Sequence, residues 1–262
     1  MIDLFAGIGG FSLAGHWMGW ETVDFVEKEP YCQKVLAKNF PNVPIHGDIR
    51  DYKPKEYAAD IICGGFPCQP FSSAGKRKGK EDDRFLWPEM LRVIREAKPT
   101  FVVGENVAGI LSMDNGTIFE EICLSLEDEG YAVQSFIIPA QAVGAPHRRD
   151  RVWIVGYSEH NGRNAAALKR SLGETEGKSR VCQSERPDTT HGDVQFATTA
   201  KCFDFDFKRS WYEVATRLCR VDDGLPSWVD GHRTPRLKAL GNAIVPQVAY
   251  QIFLSIDEFM TR

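Results

Sequence analysis

The sequence predicts an α/β fold, a parallel sheet with helices on both faces and a small polar insertion late in the chain. Three observations lead there. Short apolar runs alternate with amphipathic helical stretches over the first 156 residues. Several runs end in glycines or in an acidic residue, the place where such sheets carry ligands. The length of 262 residues, 43% of them hydrophobic and 26% charged, suits one sheet domain with an insertion or a small second domain.

The elements follow in order. A short first strand ends near Phe5, a glycine-rich turn follows, and a helix opens near Phe11. Residues 22–26 form the second strand-like run. Pro30 suits the first position of a helix that carries Tyr31, Val35 and Leu36 on one face. Residues 43–46, 60–63, 100–103 and 151–155 read as further strands, and 88–97 as a helix. Residues 117–129 form a helix with Ile118, Ile122 and Leu126 in one stripe, stopped by Gly130. After Gly156 the chain turns polar to about residue 208, with weak periodicity and no assignable elements. Pattern returns at Trp211, and 247–259 reads as a closing helix with Val248, Ile252 and Ile256 in register. There is no internal repeat and no low-complexity tract.

Composition excludes several classes. A net charge of −4 rules out a globally basic nucleic-acid coat but leaves room for a local basic cleft. The seven cysteines are an odd number without a CxxC pair, which argues against a zinc site or a disulfide framework and for a reducing cytoplasm. With no run of eighteen apolar residues, no transmembrane helix is expected. The opening MIDLFAGIGG lacks a charged leader and is not expected to act as a secretory signal.

Chemistry concentrates at the predicted strand ends. In Asp3-Leu4-Phe5-Ala6-Gly7-Ile8-Gly9-Gly10 the glycines let backbone amides approach a ligand closely. Glu27 ends the next run, where a carboxylate can take the ribose hydroxyls of an adenosine. Alone, this is equally a tight strand–helix turn or part of a nicotinamide dinucleotide site, although the Asp ahead of the glycines departs from GxGxxG. Asp48, in His46-Gly47-Asp48-Ile49, could accept an adenine amino group or simply face solvent.

Gly64-Gly65-Phe66-Pro67-Cys68-Gln69-Pro70-Phe71-Ser72 sets a cysteine between two prolines at a strand end, outside any apolar periodic run. A thiol there suits a nucleophile with a lowered pKa. The adjoining Ser73-Ala74-Gly75-Lys76-Arg77-Lys78-Gly79-Lys80 reads as a basic lid for a polyanion, or as a solvated loop. Glu105, in Gly104-Glu105-Asn106-Val107, projects at the same sheet edge as Cys68 and could donate a proton if burial raised its pKa. In Pro146-His147-Arg148-Arg149-Asp150-Arg151, alternation puts Arg149 and Arg151 on one side and Asp150 on the other. Those arginines could hold phosphates or a base carbonyl, or form a surface ion-pair cluster. Gly241-Asn242 reads as a tight turn before Pro246, which sets the start of the last helix.

The order Asp3-x-Phe5-x-Gly7-x-Gly9-Gly10, Pro67-Cys68-Gln69, Glu105-Asn106-Val107, Arg149-x-Arg151 and Gly241-Asn242 resembles the DNA (cytosine-5) methyltransferases of bacterial restriction–modification systems and phages. The resemblance covers about residues 1–157 and 211–262, in the family's unpermuted order. Pro-Cys-Gln followed by Glu-Asn-Val carries its specificity; the glycine turn does not. It implies a Rossmann-like, S-adenosyl-L-methionine-dependent sheet over 1–157, a small target-recognition region over 158–210, and a support segment with closing helix over 211–262. Phe5, Gly7, Gly9 and Gly10 would line the cofactor, Glu27 would hold its ribose, and Asp48 and Ile49 would flank the adenine. Pro67 would sit at the methionine end and Asn242 would close the pocket.

The same resemblance makes Cys68 the nucleophile that adds to carbon 6 of a flipped cytosine. Glu105 would bind ring nitrogen 3, and Arg149 and Arg151 would hold the cytidine and its phosphates. Gln69, Ser72, Lys76, Arg77, Lys78 and Arg148 are the candidates to meet DNA. It implies double-stranded DNA as partner, no metal and no membrane, a monomer in the cytoplasm, and room for a cognate restriction endonuclease. Two features depart from the family's common form. The chain begins close to Asp3, which predicts a very short first strand. The segment from Arg217 to Pro226 is read as a variant of the motif that supports the recognition region. A tRNA-methylating branch is the nearest rival, but its Cys-Phe-Thr signature is missing from the middle region. A nicotinamide oxidoreductase would need neither Pro67-Cys68-Gln69 nor the arginines, and a degenerate DNA-binding module would not keep every catalytic position intact.

Overall fold

Strand β1 (Ile2–Leu4) is fully buried near the middle of the sheet in the computed structural model, which describes residues 1–67, 85–158, 160 and 233–261. Among the described residues the other strands are β2 (Asp24–Val26), β3 (Ile45–His46), β4 (Ile61–Gly64), β5 (Phe101–Val107), β6 (Ala132–Pro139) and β7 (Asp150–Tyr157). They pair in the order β3-β2-β1-β4-β5-β7-β6. From β3 to β5 every pairing is parallel. The chain runs outward from β1 through β2 to β3, then returns to β4 on the other side of β1. That reversal opens a crevice at the carboxyl ends of β1 and β4, where open α/β sheets bind ligands.

Alternation along the strands divides the core. Ile62 and Val102 face one layer with Met90, Val93 and Ile94 of α3 (Trp87–Ala97) and Ile118, Ile122 and Leu126 of α4 (Thr117–Asp128). Ile61, Cys63, Phe101, Val103 and Trp153 face the other. There they meet Phe11 and Ala14 of α1 (Gly10–Trp17) and Val248, Ala249, Ile252, Phe253 and Ile256 of the closing helix. Leu36 of α2 (Pro30–Asn39) packs with Phe25 and Ala6 in a smaller cluster. The expected helices on both faces are present, and the stripe Ile118, Ile122 and Leu126 is buried as its spacing predicts.

Three features differ from the sequence reading. First, β7 runs antiparallel to β5 and β6, so the sheet is mixed. The connection from β6 to β7 holds only the 3-10 turn Ala140–Val143, too little for the helical crossover that a parallel pair needs. Second, β6 itself was not anticipated. It is an edge strand with Phe136 and Ile137 exposed and a terminal Pro139, so its alternation of burial breaks off after Phe136. Third, Gly241-Asn242 is not a free turn but the last turn of α5 (Arg233–Asn242). Residues 243–245 then link α5 to α6 (Pro246–Thr261), and Pro246 occupies the first helical position as expected.

The stretch Thr234–Met260 is long and apolar enough by composition to cross a membrane. It is nevertheless broken at 243–245, and its stripe Val248, Ile252, Phe253 and Ile256 is buried against the sheet. All described residues fall in one unit that joins the first part of the chain to α5 and α6. Beyond Ser158 and His160, the expected recognition region 158–210 lies outside the described residues, as does the support segment up to residue 232.

Phe253 is fully buried, with its ring 4.8 Å from that of Trp20 and 6.3 Å from that of Phe11. Phe253→Ala should cost about 3–5 kcal/mol of stability. A lower urea midpoint with an unchanged m-value checks this.

Candidate active site

The turn after β1 is built from backbone that side chains rarely adopt. Phe5, Gly7 and Gly9 have φ of 54°, 56° and 87°. Asp3 sets the geometry from below. Its carboxylate is wholly buried, and Oδ2 accepts from the backbone N–H of Ser12 at 3.2 Å and from its hydroxyl at 2.7 Å. These bonds tie the first turn of α1 to β1, so the residues between must fold back sharply. Burial pushes the Asp3 carboxyl up to about 7 against the opposing pull of the Ser12 bonds. Oδ1 has no hydrogen-bond partner among the described residues. The sequence reading gave Asp3 no such role; the available signal was a carboxylate inside an apolar strand.

Glu27 follows β2 and reaches this turn. Its Oε2 accepts from the Gly7 N–H and its Oε1 from the Glu29 N–H, each at 2.7 Å. A Cβ placed on Gly7 would meet nothing within 4 Å, so one side of the turn is open. Asp48 follows β3, beside Glu27. Its Oδ1 accepts from the Arg50 N–H and its Oδ2 pairs with Lys28 Nζ at 3.1 Å, and with these donors its pKa lies below the usual carboxylate value. Ile49 is buried, and its carbonyl accepts from Arg92 Nη2 at 2.6 Å. Glu27 thus braces the open glycine turn, and Asp48 stands at the end of the neighbouring strand.

The other half of the site lies past β4. Gly65, Phe66 and Pro67 leave the strand, and the Phe66 carbonyl accepts from Asn106 Nδ2 at 2.9 Å. Asn106 thereby pins this loop to β5, a role the sequence reading did not assign. Glu105 is 7% exposed. A Cβ on Gly65 would lie 3.2 Å from Glu105 Oε2, so the carboxyl stands against the loop that leads to Cys68. Arg151 Nε lies 2.9 Å from Glu105 Oε1. Burial raises the Glu105 pKa, while Arg151 and Arg149 oppose the rise. A carboxyl held this way can keep a proton and still respond to charge developing nearby.

Arg149 precedes β7, and its guanidinium is engaged: Nη2 donates to the carbonyls of Gly241 and Ala243, each at 2.7 Å. Arg148 is exposed and pairs with Asp150 at 2.8 Å. Asn242 is exposed at the end of α5, between those two carbonyls, and Ile244 lies on the turn. A Cβ on Gly10 would meet Ile244 Cγ1 at 2.6 Å. The structure therefore brings together Phe5, Gly7, Gly9, Gly10, Glu27, Asp48 and Ile49 on one side of the crevice and Pro67, Glu105, Arg149 and Arg151 on the other. Cys68, Gln69, Ser72, Lys76, Arg77 and Lys78 lie outside the described residues. Among the described residues no cluster of three His, Cys, Asp or Glu side chains could hold a metal ion.

Comparison with known proteins adds the following. The family model described as C-5 cytosine-specific DNA methylase matches residues 1–203. Type II methyltransferase M.HhaI of Haemophilus parahaemolyticus is 40% identical over 156 residues, 59% of this chain and 47% of its own. Type II methyltransferase M.HpaII of Haemophilus parainfluenzae is 40% identical over 177 residues, 65% of this chain and 49% of its own. This chain therefore spans about half the length of these curated relatives. The crystal structure of the S. pombe Dnmt2 methyltransferase superposes with a TM-score of 0.51 at 21% identity, over 68% of this chain and 56% of that one, a likeness of fold.

The raised Asp3 pKa has a measurable sign. Between about 4 and about 7 the folded chain holds a proton on Asp3 that the unfolded chain has released, so stability falls as pH rises through that window and levels off above it. Asp3→Asn lacks this component. Urea melts at several pH values should show the wild type losing stability relative to the variant by up to about 1.4 kcal/mol per pH unit. Parallel profiles would place Asp3 in its ordinary range.

Proposed function

This chain belongs to the C-5 cytosine-specific DNA methylase family, and from that premise we propose that it methylates carbon 5 of a cytosine in duplex DNA with S-adenosyl-L-methionine as donor. The observation that carries the reading is the buried Glu105–Arg151 pair standing against Gly65, three residues before Cys68. On this reading residues 158–210 supply sequence recognition, and the enzyme works as a monomer in the cytoplasm, with a cognate endonuclease as its counterpart.

The residues at hand fit the cofactor. The open side of Gly7 gives a backbone approach for the nucleoside, and Glu27 retains lone pairs for the ribose hydroxyls beside its two backbone bonds. Asp48 is ionised and suits an amino group, and Ile49 offers an apolar neighbour for the base. When bound, the cofactor supplies an electrophilic methyl group on a sulfonium.

The chemical problem is that carbon 5 of cytosine is a weak nucleophile and lies out of reach inside a duplex. Extruding the base costs a few kcal/mol of stacking and pairing. Contacts from Lys76, Arg77, Lys78 and Arg148 to phosphates, with Gln69 and Ser72 beside the vacated stack, offset that cost. The Cys68 thiolate bonds to carbon 6. Electrons of the ring double bond move toward nitrogen 3, which takes or shares the proton held by Glu105, while Arg151 keeps that carboxyl in place. Carbon 5 is then enamine-like and nucleophilic. After methylation a base, water in the simplest case, removes the proton from carbon 5, and the bond from Cys68 to carbon 6 breaks to restore the ring.

Incubation with the cofactor and mixed-sequence duplex DNA, with tRNA in parallel, should yield methylcytosine in the duplex at a defined sequence by base-resolution mapping. Product confined to tRNA, or none, would overturn the reading. A duplex carrying 5-fluorocytosine should leave a covalent adduct on Cys68, because the fluorine cannot be removed as the proton is. Cys68→Ala should lose both turnover and adduct yet keep DNA binding. Glu105→Gln should slow turnover by about 10²–10⁴-fold, measured at saturating cofactor.

A further inference from the structure

The mechanism uses Arg151 beside Glu105 and leaves Arg149 without a step. Its backbone has φ of 39°, a left-handed conformation that costs a non-glycine residue about 1–3 kcal/mol and persists only where surroundings enforce it. The Ala140 N–H donates to the carbonyls of Arg148 and Arg149 and fixes that bend. The bend sends the guanidinium to the carbonyls of Gly241 and Ala243, at the carboxyl end of α5, where unpaired carbonyls and the helix dipole favour a cation. Those carbonyls flank Asn242 and lead directly into Ile244, which lies so close to Gly10 that no Cβ fits there.

We propose that Arg149 is a positioning residue whose guanidinium clamps the link between α5 and α6, so that Ile244 and Asn242 close the cofactor side of the site over the glycine turn. The chain of contacts runs from Arg149 to Gly241 and Ala243, then through Ile244 to Gly10. Arg149 thus acts on cofactor retention through the backbone, while Arg151 is the arginine that pairs directly with Glu105. The sequence reading, which gave Arg149 to the cytidine and its phosphates, is changed accordingly. The inference rests on the cofactor reading given above, and its test separates the two.

The test uses the full chain and its Arg149→Ala, Arg149→Lys and Ile244→Ala variants. Calorimetry with S-adenosyl-L-homocysteine should show about tenfold weaker binding for Arg149→Ala, the loss of one charge-assisted contact pair. Lys at this position keeps a donor and should recover part of it. Ile244→Ala should reproduce the loss, and the double variant should bind no worse than the weaker single one. The salt dependence of DNA binding should not change. Unchanged cofactor affinity with a shallower salt slope would overturn the clamp and make Arg149 a phosphate contact. If the wild type binds no S-adenosyl-L-homocysteine, the cofactor reading fails, and amide hydrogen exchange decides the clamp. Exchange at residues 241–248 should then be faster in Arg149→Ala than in the wild type, and equal rates would overturn it.

Discussion

A carboxyl group that is almost wholly buried at the end of a strand needs a cation, and the pairing of Glu105 with Arg151 is the constraint around which the rest of this site is arranged. The two residues lie on adjacent strands in a register that opposes Arg151 to Val107, two positions along from Glu105 on the same face. This works only because β7 runs against β5. A parallel β7 would carry its first residues to the opposite edge of the sheet and leave the carboxyl buried alone. The antiparallel strand in an otherwise parallel region is therefore a requirement of the site, and the short β6–β7 connection enforces it.

The same economy holds on the cofactor side. Asp3 and Glu27 use their oxygens chiefly on backbone N–H groups of the turn and its helix, so the charges that shape the crevice also hold its walls. Asn106 does the corresponding work for the loop after β4 by donating to the Phe66 carbonyl. Glu27, Asp48, Glu105 and Asn106 each have a structural partner already. What stays open is the side of Gly7, which is where a ligand can be admitted without breaking a bond.

Much of this was legible in the residues themselves. Residues 61–64 declare a strand as a short, wholly buried run, and 117–128 a helix because Ile118, Ile122 and Leu126 are buried at the helical period. Glu27, Asp48 and Glu105 stand out in the sequence because each is a carboxylate at the end of an apolar run. The misses share a cause. β6 sits at an edge and exposes both Phe136 and Ile137, so its apolar residues do not mark a buried face. α5 holds Pro235 and ends in Gly241-Asn242, and with Leu237 and Leu240 exposed it shows no core stripe, so its residues read as breakers. The partners of Asn106 and Arg149 are fixed by the fold and lie far along the chain, where no local spacing announces them.

The contact of Ile244 with Gly10 joins residues separated by nearly all of the sequence. Such contacts form late, because the entropy of closing a long loop must be overcome before they stabilise anything. During synthesis the polypeptide emerges amino end first, so β1 and its turn leave the ribosome well before α6. They wait there with Phe11 and Trp153 uncovered until α6 arrives to bury them. A chain in which that helix has not docked holds the strands of the crevice but not its closing wall, so competence to retain a nucleoside waits on the docking of α6.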